Sequence, residues 1–456
     1  MAIRVGVVGG GISGLACAYK LQKAGVDVTV FERESGVGGR LASAMVDEDS
    51  VDLGAQIVSR TYKRVTELCS ELELDALWRP VETPAHYIAL EGRWRTASCG
   101  NLTDFFRLDY LPVGERIRLL TFILSHYLSD QGSFYSLRPR DGILENASDY
   151  VTKWVGAQAE RRVFDACLGA YHFHDLKELG EEVIRGIIVD YSPKFTFDHL
   201  KGGLNTLAEA LREKLRVYTD CPVSSVKRVK CGWRLQTGRG KQEFTHLVLA
   251  TQAPYALELF PSPPPYLASF LGSIHYAASI TVTCRVPAAN YRDVGFLLIP
   301  EEESPLLCSC LVNAMKEGRE REKTHLVLFL RDGGARELMS ASDEVVIERV
   351  LEEWKRIAPT PEIGEQIEGV LVKRWPAAMP KFSSEHIRRV EHFESEEQGN
   401  GELFLCGDYL NSPWIEGSVL CGERVAQRII DESHPIVPAA EELEEVRSVL
   451  EFASSN

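Results

Sequence analysis

The stretch that decides the fold is RVGVVGGGISGLACAYKLQKAGVDVTVFE, at residues 4–32. Its first apolar run, at residues 4–8, is typical of a buried parallel strand. The segment after the glycines is typical of a helix that ends at Gly25, and residues 26–31 are typical of a second strand. The sequence therefore predicts a βαβ unit, the building block of α/β folds with a parallel sheet.

A GxGxxG motif, formed by Gly9, Gly11 and Gly14, lies between the first strand and the helix. The first glycine permits a tight turn, the second lets the backbone approach a pyrophosphate, and the third lets helix and strand pack closely. The helix N-terminus, with Ile12 and Ser13, offers free N–H groups and the positive end of a dipole to phosphates. We expect this loop to bind a dinucleotide.

The residues after the second strand indicate which dinucleotide is bound. Glu32 ends that strand, where a carboxylate accepts hydrogen bonds from ribose hydroxyls. The chain continues with Arg33, Gly38, Gly39 and Arg40. A simple NAD domain does not need this second glycine pair, whereas a larger ligand that continues past its pyrophosphate needs more backbone to approach it closely.

These motifs resemble those of the flavin-containing amine oxidase superfamily, nearest its protoporphyrinogen oxidase and carotenoid-type desaturase branches. The resemblance rests on GGGISG…FERESGVGGR, on DLGAQ at 52–56, and on LFLCGDYLNSPWIEGSVLCGERVAQRI at 403–429. It implies an α/β fold in which an FAD-binding Rossmann-like domain of the GR2 type carries an interleaved α+β substrate domain built on a mixed sheet. It also implies FAD as the cofactor.

The resemblance implies further contacts with FAD. In the family, a Gly-Asp pair after the last strand reaches the ribityl-phosphate region, and here that pair is Gly407-Asp408. The next helix turns its N-terminus towards the flavin pyrimidine oxygen, where reduced flavin gains negative charge. That helix is expected to begin near Glu416, Gly417, Ser418 and Val419. The remaining implied contacts are Gly54, Ala55, Gln56, Val223, Ala250 and Thr251.

The same resemblance divides the chain into interleaved segments. We expect the FAD-binding domain to be assembled from residues 1–84, 199–261 and 395–435. The substrate domain then takes residues 85–198 and 262–394, which alternate in strand fashion or have helical patterns.

Composition excludes several classes of protein. The formal charge is −15 and no basic patch is visible, which argues against nucleic-acid binding. No apolar run reaches the roughly 18 residues of a transmembrane helix, and a strand so close to Met1 leaves no room for a signal peptide. The 11 cysteines have scattered spacings, typical of reduced thiols. We expect a cytoplasmic protein, with residues 436–456 as an acidic C-terminal helix.

Two further segments allow more than one interpretation. Residues 111–128 are apolar on much of their predicted helical surface and carry Arg116 and Arg118. This pattern fits a packed core helix, and it also fits peripheral contact with a membrane or an apolar substrate entrance. His172 and His174 are spaced like a metal-binding pair, but no set of partner ligands is evident and we expect no metal site.

The reaction class follows from comparison with the amine oxidases of the superfamily. Some join flavin to a cysteine a few dozen residues before the Gly-Asp pair; here no cysteine lies between Cys310 and Cys406, which predicts non-covalent FAD. Amine oxidases also place a lysine in a strand of the substrate domain, near flavin N5. The comparable stretch, residues 274–282, has none, whereas residues 374–380 resemble a W-x-x-A-x-P segment of the other two branches.

We therefore expect a hydrophobic substrate, cyclic compounds included, to be dehydrogenated by hydride transfer to flavin N5, with oxygen or a quinone as acceptor. The catalytic residues are not determined by the sequence, but Gln56 and Trp375 are the candidates. Two alternatives remain open at this stage: a renalase-like amine oxidase and a redox-neutral flavin-dependent isomerase. The oligomeric state is not indicated.

Overall fold

The computed structural model describes residues 2–46, 49–81, 86–97, 108–129, 133–140, 145–191, 196–291, 294–312, 322–357 and 366–433. The predicted acidic helix at 436–456 lies outside these residues. The helices are α1 Ile12–Lys23, α2 Lys63–Glu71, α3 Val113–Ser129, α4 Ala147–Trp154, α5 Ala166–His172, α6 Glu181–Tyr191, α7 Asn205–Lys214, α8 Ala253–Glu258, α9 Pro265–Gly272, α10 Asp332–Leu338, α11 Asp343–Ile357, α12 Ser384–Glu396 and α13 Trp414–Ser433.

The strands are β1 Arg4–Val8, β2 Asp27–Phe31, β3 Ser43–Val46, β4 Asp49–Asp52, β5 Trp78–Pro80, β6 His86–Leu90, β7 Arg93–Thr96, β8 Asp198–Leu200, β9 Val217–Tyr218, β10 Val223–Val229, β11 Gly232–Thr237, β12 Gly240–Phe244, β13 His246–Leu249, β14 Tyr276–Pro287, β15 Phe296–Leu298, β16 Leu307–Val312, β17 Lys323–Leu330, β18 Gly369–Pro380 and β19 Leu403–Leu405.

A five-stranded parallel sheet holds the predicted βαβ unit, with the order β19-β13-β1-β2-β9. Its central strands are buried on both faces, which explains the continuous apolar run at the start of the chain. Helices α1 and α13 pack against each other beside it, and Gly422 permits their approach because a Cβ there would meet the Ser13 carbonyl. A three-stranded antiparallel sheet, β10-β11-β12, adjoins this layer.

A seven-stranded mixed sheet forms the second layer, in the order β18-β14-β17-β16-β15-β6-β7. Only β15 and β6 pair in parallel. Alternate residues of its strands supply two different cores, as in β15, where Leu297 faces α10 and α11 while Phe296 and Leu298 face α3 to α6. The predicted mixed sheet is therefore confirmed. The exact domain boundaries stay a prediction.

The segment before α5 is irregular. A single helical turn, Ala157–Ala159, runs into a π-helical stretch, Glu160–Asp165, and α5 follows without a break. Short π-helical insertions are often found at functional sites because they re-aim side chains. Here the stretch turns Arg162, Val163 and Phe164 towards the central cavity.

Candidate functional site

One cavity extends from the carboxyl ends of the parallel strands to the face of the mixed sheet. Its volume is about 1360 Å³. Sites for one small molecule usually measure about 300–1,000 Å³, so this cavity has room for a dinucleotide together with a second molecule. It divides into a nucleotide half, beside the parallel sheet, and an apolar half, between the mixed sheet and helices α3 to α6.

The GxGxxG loop has the three properties that its spacing predicts. Gly9 adopts a φ of +111°, and a Cβ there would strike the Ala250 carbonyl. A Cβ on Gly14 would strike the Gly9 carbonyl. Gly11 differs, because no protein atom lies within 4 Å of the position of its Cβ. The first and third glycines thus serve the turn and the packing, and the second leaves open space on the cavity side.

Most of the predicted site residues share this cavity. Those that line it are Gly9, Gly11, Ile12, Ser13, Glu32, Arg33, Gly38, Gly39, Arg40, Gly54, Ala55, Gln56, Val223, Ala250, Thr251, Trp375, Gly407, Asp408 and Ser418. Four others lie behind the lining, namely Gly14, Glu416, Gly417 and Val419. Their assignment to the cofactor, like that of the lining residues, stays a prediction.

The helix after the Gly-Asp pair begins at Trp414, slightly before the predicted position. Its first turn presents Trp414, Ile415 and Ser418 to the cavity. The Glu416 carboxylate has a different partner: it accepts hydrogen bonds from the backbone N–H groups of Arg64 and Val65, at 2.8 and 2.9 Å, and so caps α2. Burial raises the pKa of Glu416.

Glu32 organises the loop around it. Its carboxylate accepts hydrogen bonds from the backbone N–H of Gly10 at 2.7 Å and from that of Glu34 at 2.9 Å. The side chain therefore joins the glycine-rich loop to the chain that leaves β2. A carboxylate has about four acceptor positions, so two contacts leave capacity for ribose hydroxyls.

Arg40 and Asp408 form a bidentate ion pair across the nucleotide half. Nη1 lies 2.7 Å from Oδ2, and Nη2 lies 2.8 Å from Oδ1. Nη1 also donates to the carbonyl of Ala378 at 2.9 Å. Burial opposes the charge of Arg40, but Asp408 more than compensates, so the pKa of Arg40 is raised. The ion pair thus links the segment of the second glycine pair, Gly38-Gly39, to the C-terminal Gly407-Asp408 pair.

Several buried polar atoms of the nucleotide half have no protein partner among the described residues. They are Thr251 Oγ1, Asn205 Oδ1 and Tyr409 Oη, and all three residues line the cavity. A buried polar atom without a partner is costly, and a phosphate- and hydroxyl-rich ligand would satisfy it. The sequence did not point to Asn205 or Tyr409. Tyr409 directly follows the Gly407-Asp408 pair, and Asn205 is the first residue of α7.

A turn from the nucleotide half is fixed to the mixed sheet. The carbonyl of Leu53 accepts hydrogen bonds from Trp375 Nε1 at 3.0 Å and from Thr281 Oγ1 at 3.3 Å. The buried Gln56 side chain donates to the carbonyl of Asp52 at 2.5 Å, within the same turn. The two catalytic candidates therefore lie at the junction of the two halves of the cavity.

The apolar half is walled by aromatic and aliphatic side chains. Tyr171 stacks on Phe296, with centroids 5.5 Å apart, and Phe173 stacks on Phe329, with centroids 6.0 Å apart. The aliphatic lining includes Leu119, Ile123, Leu168, Ile184, Ile187, Leu298 and Leu311. Such walls favour an apolar ligand and exclude water from it.

The charges that line the cavity are unevenly distributed. The four carboxylates among the described lining residues lie in segments that flank the parallel sheet: Glu32, Glu34, Glu258 and Asp408. The apolar half instead has the cations Arg162, Lys373 and Arg374, the last of which pairs with Asp343. Arg162 is paired with Glu302 at 2.8 Å, whereas the Lys373 amine lies 4.9 Å from the centre of the Trp375 ring.

The sequence did not point to Lys373, because the resemblance places the lysine of the amine oxidases within residues 274–282. Those residues contribute most of β14, and β18 pairs with it so that Thr281 lies opposite Lys373 and Ser279 opposite Trp375. Cross-strand partners share a face of the sheet, and all four residues line the cavity. No pattern in the sequence revealed this register.

The histidines of the apolar half differ in their relation to the cavity. His86 lines it, 4.7 Å from the ring of Phe197, and burial lowers its pKa to about 4, so the ring is neutral near pH 7. His172 and His174 lie behind Tyr171 and Phe173, with centroids 5.9 Å apart. Among the described residues no group of three metal-ligating side chains occurs.

Comparison with known proteins agrees with this geometry. The profile of the family described as "Flavin containing amine oxidoreductase" matches residues 12–430. The chain belongs to this family. A probable flavin-containing monoamine oxidase A of Dictyostelium discoideum is 24% identical, over 93% of this chain and 97% of its own. Protoporphyrinogen oxidase 2 of Arabidopsis thaliana is 23% identical, over 94% of both chains.

The fold of this chain is also similar to that of a solved structure. A putative protoporphyrinogen oxidase from Exiguobacterium sp. 255-15 superposes with a TM-score of 0.77 at 19% identity, over 95% of this chain and 99% of that one. Together with the observed sheets, this confirms the predicted α/β fold, and the resemblance to the superfamily is confirmed by the family match.

A flavin-containing amine oxidoreductase uses FAD, and this chain is an FAD-dependent oxidoreductase. The open space at Gly11 and the unsatisfied atoms of Thr251, Asn205 and Tyr409 fit such a dinucleotide.

Cys406 is buried, with its Sγ 2.9 Å from Ser13 Oγ. Non-covalent attachment stays a prediction, and release of the flavin by acid precipitation would check it. Within the described part of the chain, none of the helices has the length and hydropathy of a membrane span.

The contacts of Glu32 lead to a first prediction. Glu32→Ala is expected to weaken FAD binding by roughly 1–3 kcal/mol, because it removes charge-assisted hydrogen bonds from the loop and from the ribose. Fluorescence titration of FAD-free protein measures the affinity. Glu243→Ala is the matched control, since that exposed carboxylate pairs with Arg234 at the surface and lies outside the cavity lining. Equal affinities for the two variants would show that Glu32 does not contribute.

Proposed function

We propose that this protein dehydrogenates a C–C or C–N bond of a hydrophobic organic substrate, cyclic compounds included. The observation that carries the proposal is the apolar half of the cavity, which has aromatic walls and no carboxylate among its described lining residues. An ammonium substrate would be desolvated there without a counter-charge, which is costly. An apolar substrate gains free energy from the same burial.

When bound, FAD would supply the chemistry of the bond cleavage as the hydride acceptor. The residues of the chain bind and orient. The stacked pairs Tyr171–Phe296 and Phe173–Phe329 hold the substrate and exclude water. Gln56 and Trp375 lie where the two halves meet and fix the position of the reacting carbon. The N-terminus of α13 provides the positive end of a dipole, which stabilises negative charge.

The proposal is tested by anaerobic mixing of the oxidised enzyme with porphyrinogens, polyenes and primary amines, while the flavin absorbance is followed. Rapid bleaching by an apolar substrate is expected, with little bleaching by simple primary amines. Free FAD with the same compounds is the control for uncatalysed reduction. Bleaching by primary amines alone would contradict the proposal. Admission of oxygen, or of a quinone, to the reduced enzyme then identifies the acceptor.

Lys373 supports a second candidate, a renalase-like amine oxidase. Lys373 lines the cavity and lies opposite Thr281, on the strand next to the one where the resemblance places a lysine. The relative from Dictyostelium is described as a monoamine oxidase. Lys373→Met distinguishes the candidates. For an amine oxidase we expect a large loss in the rate of flavin bleaching by amines, whereas dehydrogenation of an apolar substrate should change little.

A redox-neutral isomerase on the same fold is the third candidate. It would convert its substrate with no net reduction of flavin, and product analysis under anaerobic conditions separates it from a dehydrogenase. We further propose that the protein acts in the cytoplasm on a small molecule, without nucleic acid.

A further inference from the structure

The outer face of α3 has exposed apolar side chains. This face consists of Val113, Ile117, Leu124, Tyr127 and Leu128, whose exposed fractions are 67%, 59%, 43%, 40% and 80%. They are five of the nine large apolar residues that are exposed in the described part of the chain. Because a helix repeats every 3.6 residues, the five lie on one side of α3. An exposed patch of this kind marks an interaction site.

The opposite side of the same helix lines the cavity. Leu119 and Phe122 are buried, and Leu119 and Ile123 line the apolar half. The buried side of this helix fits the interpretation as a packed core helix, and the exposed side leaves contact with a membrane as a prediction. A single layer of helix separates the exterior from the apolar half of the cavity.

Basic and aromatic side chains flank the outer face, with the Lys153 amine 3.4 Å from the Glu145 carboxylate and Arg116 Nε donating to the carbonyl of Leu111. Arg118 Nε donates to the carbonyl of Val155 at 2.7 Å, so the preceding Trp154 lies beside α3. Trp154 is 54% exposed, and the Lys153 amine lies 5.9 Å from the centre of its ring. Arg116 is also on the helix. These cations stand out in a chain with a net charge of −15.

We propose that the outer face of α3 docks this protein on the surface of an anionic lipid bilayer. Apolar side chains on one side of a helix enter the boundary between headgroups and acyl chains, tryptophan is favoured at that depth, and flanking arginine and lysine attract anionic headgroups. The docking does not require the proposed reaction. If the proposed function also holds, the docked orientation brings the apolar half of the cavity next to the bilayer, from which an apolar substrate would enter.

The experiment is flotation of FAD-loaded protein with vesicles of phosphatidylcholine alone or mixed with phosphatidylserine. Binding is expected to the mixed vesicles and to weaken as salt rises. The variant Ile117→Ser/Leu124→Ser/Leu128→Ser should lower the partition coefficient by about tenfold or more, since it removes three apolar groups from the contact. The matched control is Met45→Ser/Val345→Ser/Val370→Ser, which alters three exposed apolar residues elsewhere and should bind like the natural protein.

Two outcomes would overturn the proposal. One is equal vesicle binding by the two triple variants. The other is absence of vesicle binding together with a dimer, seen by sedimentation velocity, that only the α3 variant dissociates; this would assign the outer face to a second copy of the chain. FAD content and unfolding midpoint verify that the variants are folded. Because the readout needs no turnover, failure here is distinct from failure of the proposed reaction.

Discussion

Gly11→Val is expected to lower FAD affinity by about a hundredfold or more while leaving the fold intact, which corresponds to about 2.7 kcal/mol. The backbone of Gly11 has φ −71° and ψ 167°, a conformation open to any residue. No protein atom lies within 4 Å of the added Cβ. The added Cβ therefore projects into open space on the cavity side, where we expect the pyrophosphate.

The measurement is a titration with FAD, combined with urea unfolding of the FAD-free protein. Gly369→Val is the matched control: its Cβ also meets nothing within 4 Å, but it lies in β18 outside the cavity lining. We expect the free energies of unfolding of both variants to stay close to that of the natural protein. Normal FAD affinity in Gly11→Val would refute the assignment of the loop.

Disruption of the Arg40–Asp408 pair should have the largest effect on stability. The side chain of Asp408 is 3% exposed and that of Arg40 is 30% exposed. Arg40→Met would leave a buried carboxylate without its partner, which typically costs about 3–5 kcal/mol of unfolding free energy. Asp408→Ala should cost less, because the cation left behind retains contact with water. Both variants are expected to bind FAD more weakly.

A double-mutant cycle separates the pair from its surroundings. Arg40→Met/Asp408→Leu replaces both charges by apolar groups, and its loss of stability is expected to be smaller than the sum of the two single losses. Urea unfolding of the FAD-free proteins supplies the four free energies. Additive losses would mean that the two side chains do not stabilise one another, despite bidentate geometry.

Residues 4–32 alone determined the part of the fold that depends on neighbours in sequence. The positive φ of Gly9 and the contact that a Cβ on Gly14 would make with the Gly9 carbonyl arise within a few residues, and the structure reproduces them. The close approach of Gly9 to the Ala250 carbonyl, by contrast, needs the distant segment that follows β13. The family motifs at both ends of the chain extended this prediction to FAD and to the mixed sheet. These features are local or carried by recognisable motifs, so a single sequence suffices for them.

The tertiary structure alone decided which distant side chains meet. Arg40 and Asp408 are 368 positions apart, and each was assigned to the cofactor with no sign that they pair. Lys373 reaches the cavity only because β18 pairs with β14 in one register, and a shift by one residue would turn its side chain to the other face of the sheet. Strand register and helix orientation depend on packing between segments remote in sequence. The apolar pattern of α3 likewise did not indicate which side of the helix lines the cavity. The structure shows that the side with Leu119 does so and that the opposite side is exposed.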